Sequence, residues 1–360
     1  MEPLKNLISE KLILQYADEI HALHASFDRK SFLNAVLNEQ WEERELKDRI
    51  NHLAITIHEH MQLDFNQEME VLEQVAANLP TGFEFMVLPT VVEKYGLDEV
   101  TRSLKAIHWL TRFSTGEFAI RPFIKADPKG IMDTMLKWSK DENEHVRRLS
   151  SEGCRPRLPW GGNLKMFQND PAPILPILEN LKSDPSLYVR KSVANNLNDI
   201  SKDNPEMVLD IAERWMKKAT KETQWIVKHA LRGLLKQPHP RALELFGYGN
   251  PEKVVVRNLR LDQAKPKMGD TLNFDFEVEA PQTGKLRIEY IIYYQKKNGK
   301  QAPKVFQVSE GEWKKGEKRL FSKKQSLADM TTRKHHPGLH DLRIRVNGEE
   351  KTSQEFTLMA

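Results

Sequence analysis

Glu152 and Asp199 are the acids of this 360-residue chain whose settings point to chemistry. Arg148, Glu152 and Arg155 are spaced i, i+4 and i+7. On a helix predicted over residues 144–155 they share one face, while Val146, Leu149, Ser150 and Gly153 can pack inward. Arg155-Pro-Arg-Leu-Pro-Trp-Gly-Gly162 follows at once. Two prolines stiffen this loop and two glycines end it, which leaves Trp160 on a restrained turn. On a second predicted helix, residues 187–200, Lys191, Asn195 and Asp199 form a polar face opposite Val189, Val193, Leu197 and Ile200. Paired carboxylates suit the stabilisation of positive charge that develops during bond cleavage, and the supply of a water. Arg147 and Arg190 have a plainer reading: they occupy the position of an arginine–aspartate ladder between helical repeats.

Those helices belong to a repeat. Asp141 lies five residues before Val146-Arg147, Asp184 five before Val189-Arg190, and Glu222 five before Val227-Lys228. The valines are 43 and 38 residues apart, the range of HEAT or armadillo helix pairs. Such pairs bury their apolar faces only by stacking, which builds a concave groove lined by both polar faces. Earlier units, such as 46–61, diverge. After Pro251 the period changes to two. Segments 254–261, 271–278, 286–294, 304–308, 317–321, 339–346 and 354–358 read as short strands, with turns at Asn298-Gly299, Lys315-Gly316 and Asn347-Gly348. The expected fold is multidomain: an all-α HEAT-like repeat solenoid over 1–250, then an all-β immunoglobulin-like sandwich over 254–360.

A hydrophobic share of 39% with 29% charged residues fits a folded globular protein and not a disordered one. No stretch approaches the roughly 20 apolar residues of a membrane span. Met1-Glu-Pro-Leu-Lys lacks the apolar core of a signal peptide, and the lone Cys154 excludes an internal disulfide. A cytoplasmic monomer is expected. From Glu252 onward the chain carries 22 Lys and Arg against 15 Asp and Glu, whereas the remainder carries 33 against 36. The basic excess therefore sits in the sandwich, with tips at Lys296-Lys-Asn-Gly-Lys300 and Arg333-Lys-His-His336, and suits a polyanionic partner. His58-Glu-His60 lacks the i, i+4 spacing of a helical zinc pair, and His335-His336 reads as part of an exposed basic loop. Arg155 beside Cys154 would favour a thiolate, but no histidine–acid pattern supports a nucleophile. With no phosphate-cradling glycine loop and no Rossmann fingerprint, neither cofactor nor metal is expected.

Ser151-Glu-Gly-Cys-Arg-Pro-Arg-Leu-Pro-Trp160 and Tyr188-Val-Arg-Lys-Ser-Val-Ala-Asn-Asn-Leu-Asn-Asp199 resemble the signatures of the AlkC branch of the AlkC/AlkD alkylation-repair DNA glycosylases. The resemblance covers roughly residues 1–245, and the sandwich resembles the immunoglobulin-like appendage of one subset of AlkC proteins. It implies excision of 3-methyladenine and 3-methylcytosine from duplex DNA, leaving an abasic site, with the base largely stacked throughout. Both lesions are cationic, so the leaving group is already activated and no strong general acid is needed. Glu152 and Asp199 fall on motif positions, and Glu117, in Ser114-Thr-Gly-Glu-Phe118, is implied as a third carboxylate. Trp160 and Trp109 would lie against the sugar or the lesion. Arg148, Arg155, Arg157, Arg190 and Lys191 are the expected DNA-binding cations, and the sandwich is expected to clamp the duplex. The competing readings are a catalytically silent HEAT protein that binds DNA and a protein–protein scaffold.

Overall fold

The computed structural model describes residues 3–237, 239–249, 251–329 and 334–360. They form two compact units, Met1–Ala230 and Leu231–Ala360. Arg333, at one of the basic tips, lies outside the described residues. Among the described residues no helix is long and apolar enough to cross a membrane.

The first unit is helical, and its helices begin where side chains can satisfy the free N–H groups of a first turn. Asp64 accepts from the Gln67 N–H at 2.9 Å. Asp127 accepts from Gly130 N–H at 3.0 Å, with Pro128 opening the helix Pro128–Trp138. Pairing follows the repeat: Pro128–Trp138 with Glu144–Glu152, Leu175–Leu181 with Leu187–Ile200, Pro205–Met216 with Lys221–Ala230. The second helices pack side by side, and Val146, Val189 and Val227 are buried between them. Their turns are tied as the ladder reading expects. Arg147 donates to the Asp184 carboxylate at 2.7 and 3.1 Å and to the carbonyls of Asp141 and Glu142.

The helices Leu46–Met61 and Leu187–Ile200 span the expected residues. The helix expected to reach Arg155 stops at Glu152. Pro156 disfavours helical backbone at Arg155, and Gly153 already packs tightly, since a Cβ there would meet Ile120 Cγ2 at 2.5 Å. Beyond it lies a small antiparallel hairpin, β1 (Arg157–Leu158) and β2 (Gly162–Asn163).

The second unit holds the strands β3 (Val255–Leu261), β4 (Thr271–Ala280), β5 (Gly284–Gln295), β6 (Gln301–Trp313), β7 (Glu317–Ser326), β8 (Gly338–Val346) and β9 (Glu349–Leu358). They form two antiparallel sheets, ordered β3-β4-β7 and β6-β5-β8-β9. Alternate residues enter one core, among them Phe274, Phe276, Ile288, Ile292, Trp313, Ile344 and Phe356. Asn347 and Gly348 both have positive φ, 44° and 89°, as a tight β8–β9 hairpin requires. The short helices Arg232–Lys236 and Pro240–Leu245 belong to this unit. Arg345 donates to the Lys236 carbonyl and Asn347 to that of Gly249. His335 is not on an exposed loop as expected. It is buried, its ring 5.0 Å from that of Tyr294 and its N–H bonded to Asp329.

Candidate active site

The three carboxylates singled out by sequence come together through arginines. Glu117 lies in the turn between helices Val100–Leu110 and Ile120–Ala126. Gly116 before it is required, because a Cβ would meet Ile107 Cγ2 at 2.9 Å. Glu117 Oε2 pairs with Arg148 Nη1 and accepts from the Thr115 hydroxyl at 3.0 Å. Arg148 also donates to Thr115 Oγ1 at 2.9 Å, lies 3.5 Å from Glu152 Oε1, and covers the Tyr188 ring at 4.9 Å. Arg155 then bridges the two repeats. Its Nη1 donates to Glu152 Oε1 at 2.6 Å and its Nε to Asp199 Oδ2 at 2.9 Å. Lys202 closes the series, donating to Asp199 Oδ1 at 3.1 Å.

The result is an alternating row, Glu117–Arg148–Glu152–Arg155–Asp199–Lys202, of three acids and three cations. It is largely buried: Glu152 is 4% exposed and Asp199 2%. Burial penalises the Arg148 and Arg155 cations, but the neighbouring carboxylates outweigh it and hold both above the ordinary arginine range. One acceptor is left over. Glu152 Oε2 is buried and has no hydrogen-bond partner among the described residues.

Trp160 sits at the tip of the β1–β2 hairpin, with φ +64° and 55% of its surface exposed. A left-handed backbone at a bulky residue is unfavourable and must be held from outside. Lys47 Nζ donates to the Trp160 carbonyl at 2.6 Å, and Arg121 donates to the carbonyls of Gly161 and Gly162.

The expected DNA-binding cations divide. Arg148 and Arg155 are paired with carboxylates. Arg157 pairs with both Asp203 oxygens, at 3.0 and 2.6 Å. Arg190 donates to the carbonyls of Asp184 and Pro185, the structural position of the repeat. Lys191 is exposed. Trp109 stands with a different group. Its indole N–H donates to the Glu73 carbonyl and Arg112 lies over its ring at 5.1 Å. It lines a groove with Arg102, His108 and Trp138, not the carboxylate row. Cys154 is fully buried, and burial pushes its thiol up to about 12 despite the nearby Arg121. Burial outweighs the lowering that Arg155 was expected to bring.

Several members were missed by sequence: Thr115, Arg121, Tyr188, Lys202 and Lys47. Arg121 had a signal, a charge inside the apolar run Phe118-Ala-Ile-Arg-Pro-Phe-Ile124. Among the described residues no group of three His, Cys, Asp or Glu side chains could hold a metal. His58 is instead bonded to Glu68 at 2.7 Å and stacked on Tyr95.

Residues 92–234 match the family described as DNA alkylation repair enzyme, and residues 255–360 the C-terminal Ig-like domain family of YhaZ. YhaZ of Bacillus subtilis strain 168, itself uncharacterised, is 40% identical over 99% of both chains. Over the full length of both chains the fold superposes with a TM-score of 0.93, at 41% identity, on the Pseudomonas fluorescens alkylpurine DNA glycosylase AlkC bound to DNA containing an abasic site analogue. With a full-length relation at this identity and a repair-family match across the segment that carries Glu117, Glu152 and Asp199, the chain belongs to the AlkC family of DNA alkylation repair glycosylases.

Proposed function

We propose that this enzyme hydrolyses the N-glycosidic bond of 3-methyladenine and 3-methylcytosine in duplex DNA, as a monomer and without a cofactor. The bond from C1′ to the base nitrogen breaks with its electron pair going to the base. The base was cationic and leaves neutral. C1′ becomes oxocarbenium-like, a water adds to it, and the water's proton passes to a carboxylate.

The observation that carries this reading is the unpartnered Oε2 of Glu152. Arg148 and Arg155 hold the same carboxylate by its other oxygen, so the charge is preorganised and one acceptor remains for a cation or a water. Carboxylates beside a DNA backbone repel phosphate. They favour catalysis only by acting on positive charge that appears as the bond breaks. Trp160 supplies an exposed aromatic face for the cationic sugar or base. Lys191 contacts phosphate, and the basic sandwich adds further phosphate contacts through Lys296, Lys297 and Lys300. The base stays largely stacked, so 2-aminopurine placed beside the lesion should remain quenched when the enzyme binds.

The test is base release from methylated duplex DNA, with heat or alkali revealing abasic sites. Release of both methylated bases is expected. Salt-sensitive DNA binding without release would instead identify a non-catalytic binder.

A further inference from the structure

We infer that Arg121 is a positioning residue for this reaction, locking the Trp160 hairpin to the helix end that carries Glu152. Its consequence for catalysis rests on the function proposed above; its effect on Trp160 does not.

Arg121 lies on the helix Ile120–Ala126 and is 2% exposed. Among the described residues it makes no ion pair. All its bonds go to backbone carbonyls. Nη1 donates to Gly153 at 2.8 Å and Arg155 at 3.0 Å, Nε to Gly161 at 3.0 Å, and Nη2 to Gly162 at 2.7 Å. The first two acceptors lie one and three residues after Glu152, and the last two directly follow Trp160. One rigid guanidinium therefore joins the two segments that must present carboxylate and indole to the same substrate. Only a planar fork with several fixed donors can do this; a lysine ammonium cannot span the four carbonyls.

Two further observations show how closely the joint is built. Gly161 leaves room for the arginine, since a Cβ there would meet Arg121 Cδ at 3.2 Å and Leu158 Cδ2 at 2.9 Å. Trp160 is held at φ +64° although its indole is mostly exposed. The ring meets Phe83 only at a centroid distance of 6.5 Å, so the carbonyl anchors beside it carry most of the constraint. Burying a cation without a counter-ion is unfavourable, and burial indeed lowers the proton affinity of Arg121. An arrangement with that cost fits a site where small displacements matter.

The experiment uses Arg121→Lys and Gly161→Ala, each made in the wild-type chain and in a Trp160→Phe background. Subtracting the paired spectra isolates Trp160 emission. Both variants should change its emission maximum and raise its acrylamide quenching. Single-turnover excision of 3-methyladenine should fall about tenfold to a hundredfold, with DNA affinity within about threefold. In a Trp160→Ala background Arg121→Lys should cost little more, because its effect passes through the indole. Unchanged Trp160 emission in a folded variant, or excision losses that simply add to those of Trp160→Ala, would overturn the inference. If Arg121→Lys fails to fold, Gly161→Ala decides the question from the other side of the joint. If the wild-type chain releases no base, the proposed function fails while the Trp160 spectra still decide the role of Arg121.

Discussion

Two buried glutamates, one in each unit, sit between pairs of arginines and meet different fates. In the sandwich, Glu289 is 2% exposed and both of its oxygens are used: Oε1 by Arg287 at 2.8 Å, Oε2 by Arg345 at 2.7 Å. In the helical unit Glu152 is equally buried, but both arginines converge on Oε1 and Oε2 is left without a partner. Saturation favours the fold, because each unmet acceptor costs stability, although Glu68 Oε1 and Asp341 Oδ1 also lack a partner. A buried charge that serves chemistry must keep an acceptor open. Neighbours on one helix divide in the same way. Arg147 is consumed by Asp184 and two turn carbonyls, whereas Arg148, about 100° around the helix, joins the buried carboxylate row.

The largest effect expected from this contrast is on stability. Glu289→Ala strands the buried guanidinium of Arg345 and the partly buried one of Arg287 and should cost about 3–5 kcal/mol, read from denaturant unfolding. Excision per folded molecule should be preserved. A loss below about 1 kcal/mol would mean that the saturated pairing is not what holds the sheet.

Glu152→Gln should invert that pattern. Excision of 3-methyladenine in single turnover should fall by about a hundredfold or more, with a smaller loss of stability than in Glu289→Ala, since Glu117 and Asp199 still pair Arg148 and Arg155. Asp199→Asn should behave in the same way. Binding to undamaged DNA should hold steady or improve, since a negative charge has gone. Near-normal excision by both variants would move attention to Glu117.

Salt dependence separates the committed cations from the exposed one. Lys191→Ala should reduce the slope of log affinity against log salt by about one. Arg155→Met should leave that slope unchanged and lower excision by about tenfold, because its guanidinium positions Glu152 and Asp199. Equal slope changes in both variants would restore Arg155 as a phosphate contact.

The smallest expected effect concerns Cys154, two residues from Glu152. Burial raises its folded-state thiol to about 12, above the usual value near 8.5. The folded state therefore holds this proton more tightly. The resulting stabilisation is complete below about pH 8.5 and declines as the pH rises towards 12. In Cys154→Ala the fall in stability over that window should be shallower. Native protein at pH 8 should resist iodoacetamide until it is unfolded.

What was legible in sequence is what local spacing controls. Period-two alternation and Asn-Gly turns marked the strands, since side chains alternate along any strand whatever its neighbours. The recurring acid five residues before Val-Arg or Val-Lys marked the helix pairs. The i, i+4 and i+7 spacing put Glu152 on a face with Arg148 and Arg155. The helix end at Glu152 was misjudged only because Pro156 acts backwards along the chain. None of this spacing reveals what a guanidinium points at.

Arg155 meets Asp199 across 44 residues, and Arg121 meets Gly161 and Gly162 across 40 and 41. The sequence by itself determined the helices, the strands and which residues share a face, because those depend on backbone geometry within a few residues. Only the tertiary structure decided that Arg155 serves a carboxylate, that Arg121 serves a loop, and that Glu152 keeps one oxygen open. Packing between repeats sets those distances, and a charged group takes whichever partner packing brings within reach.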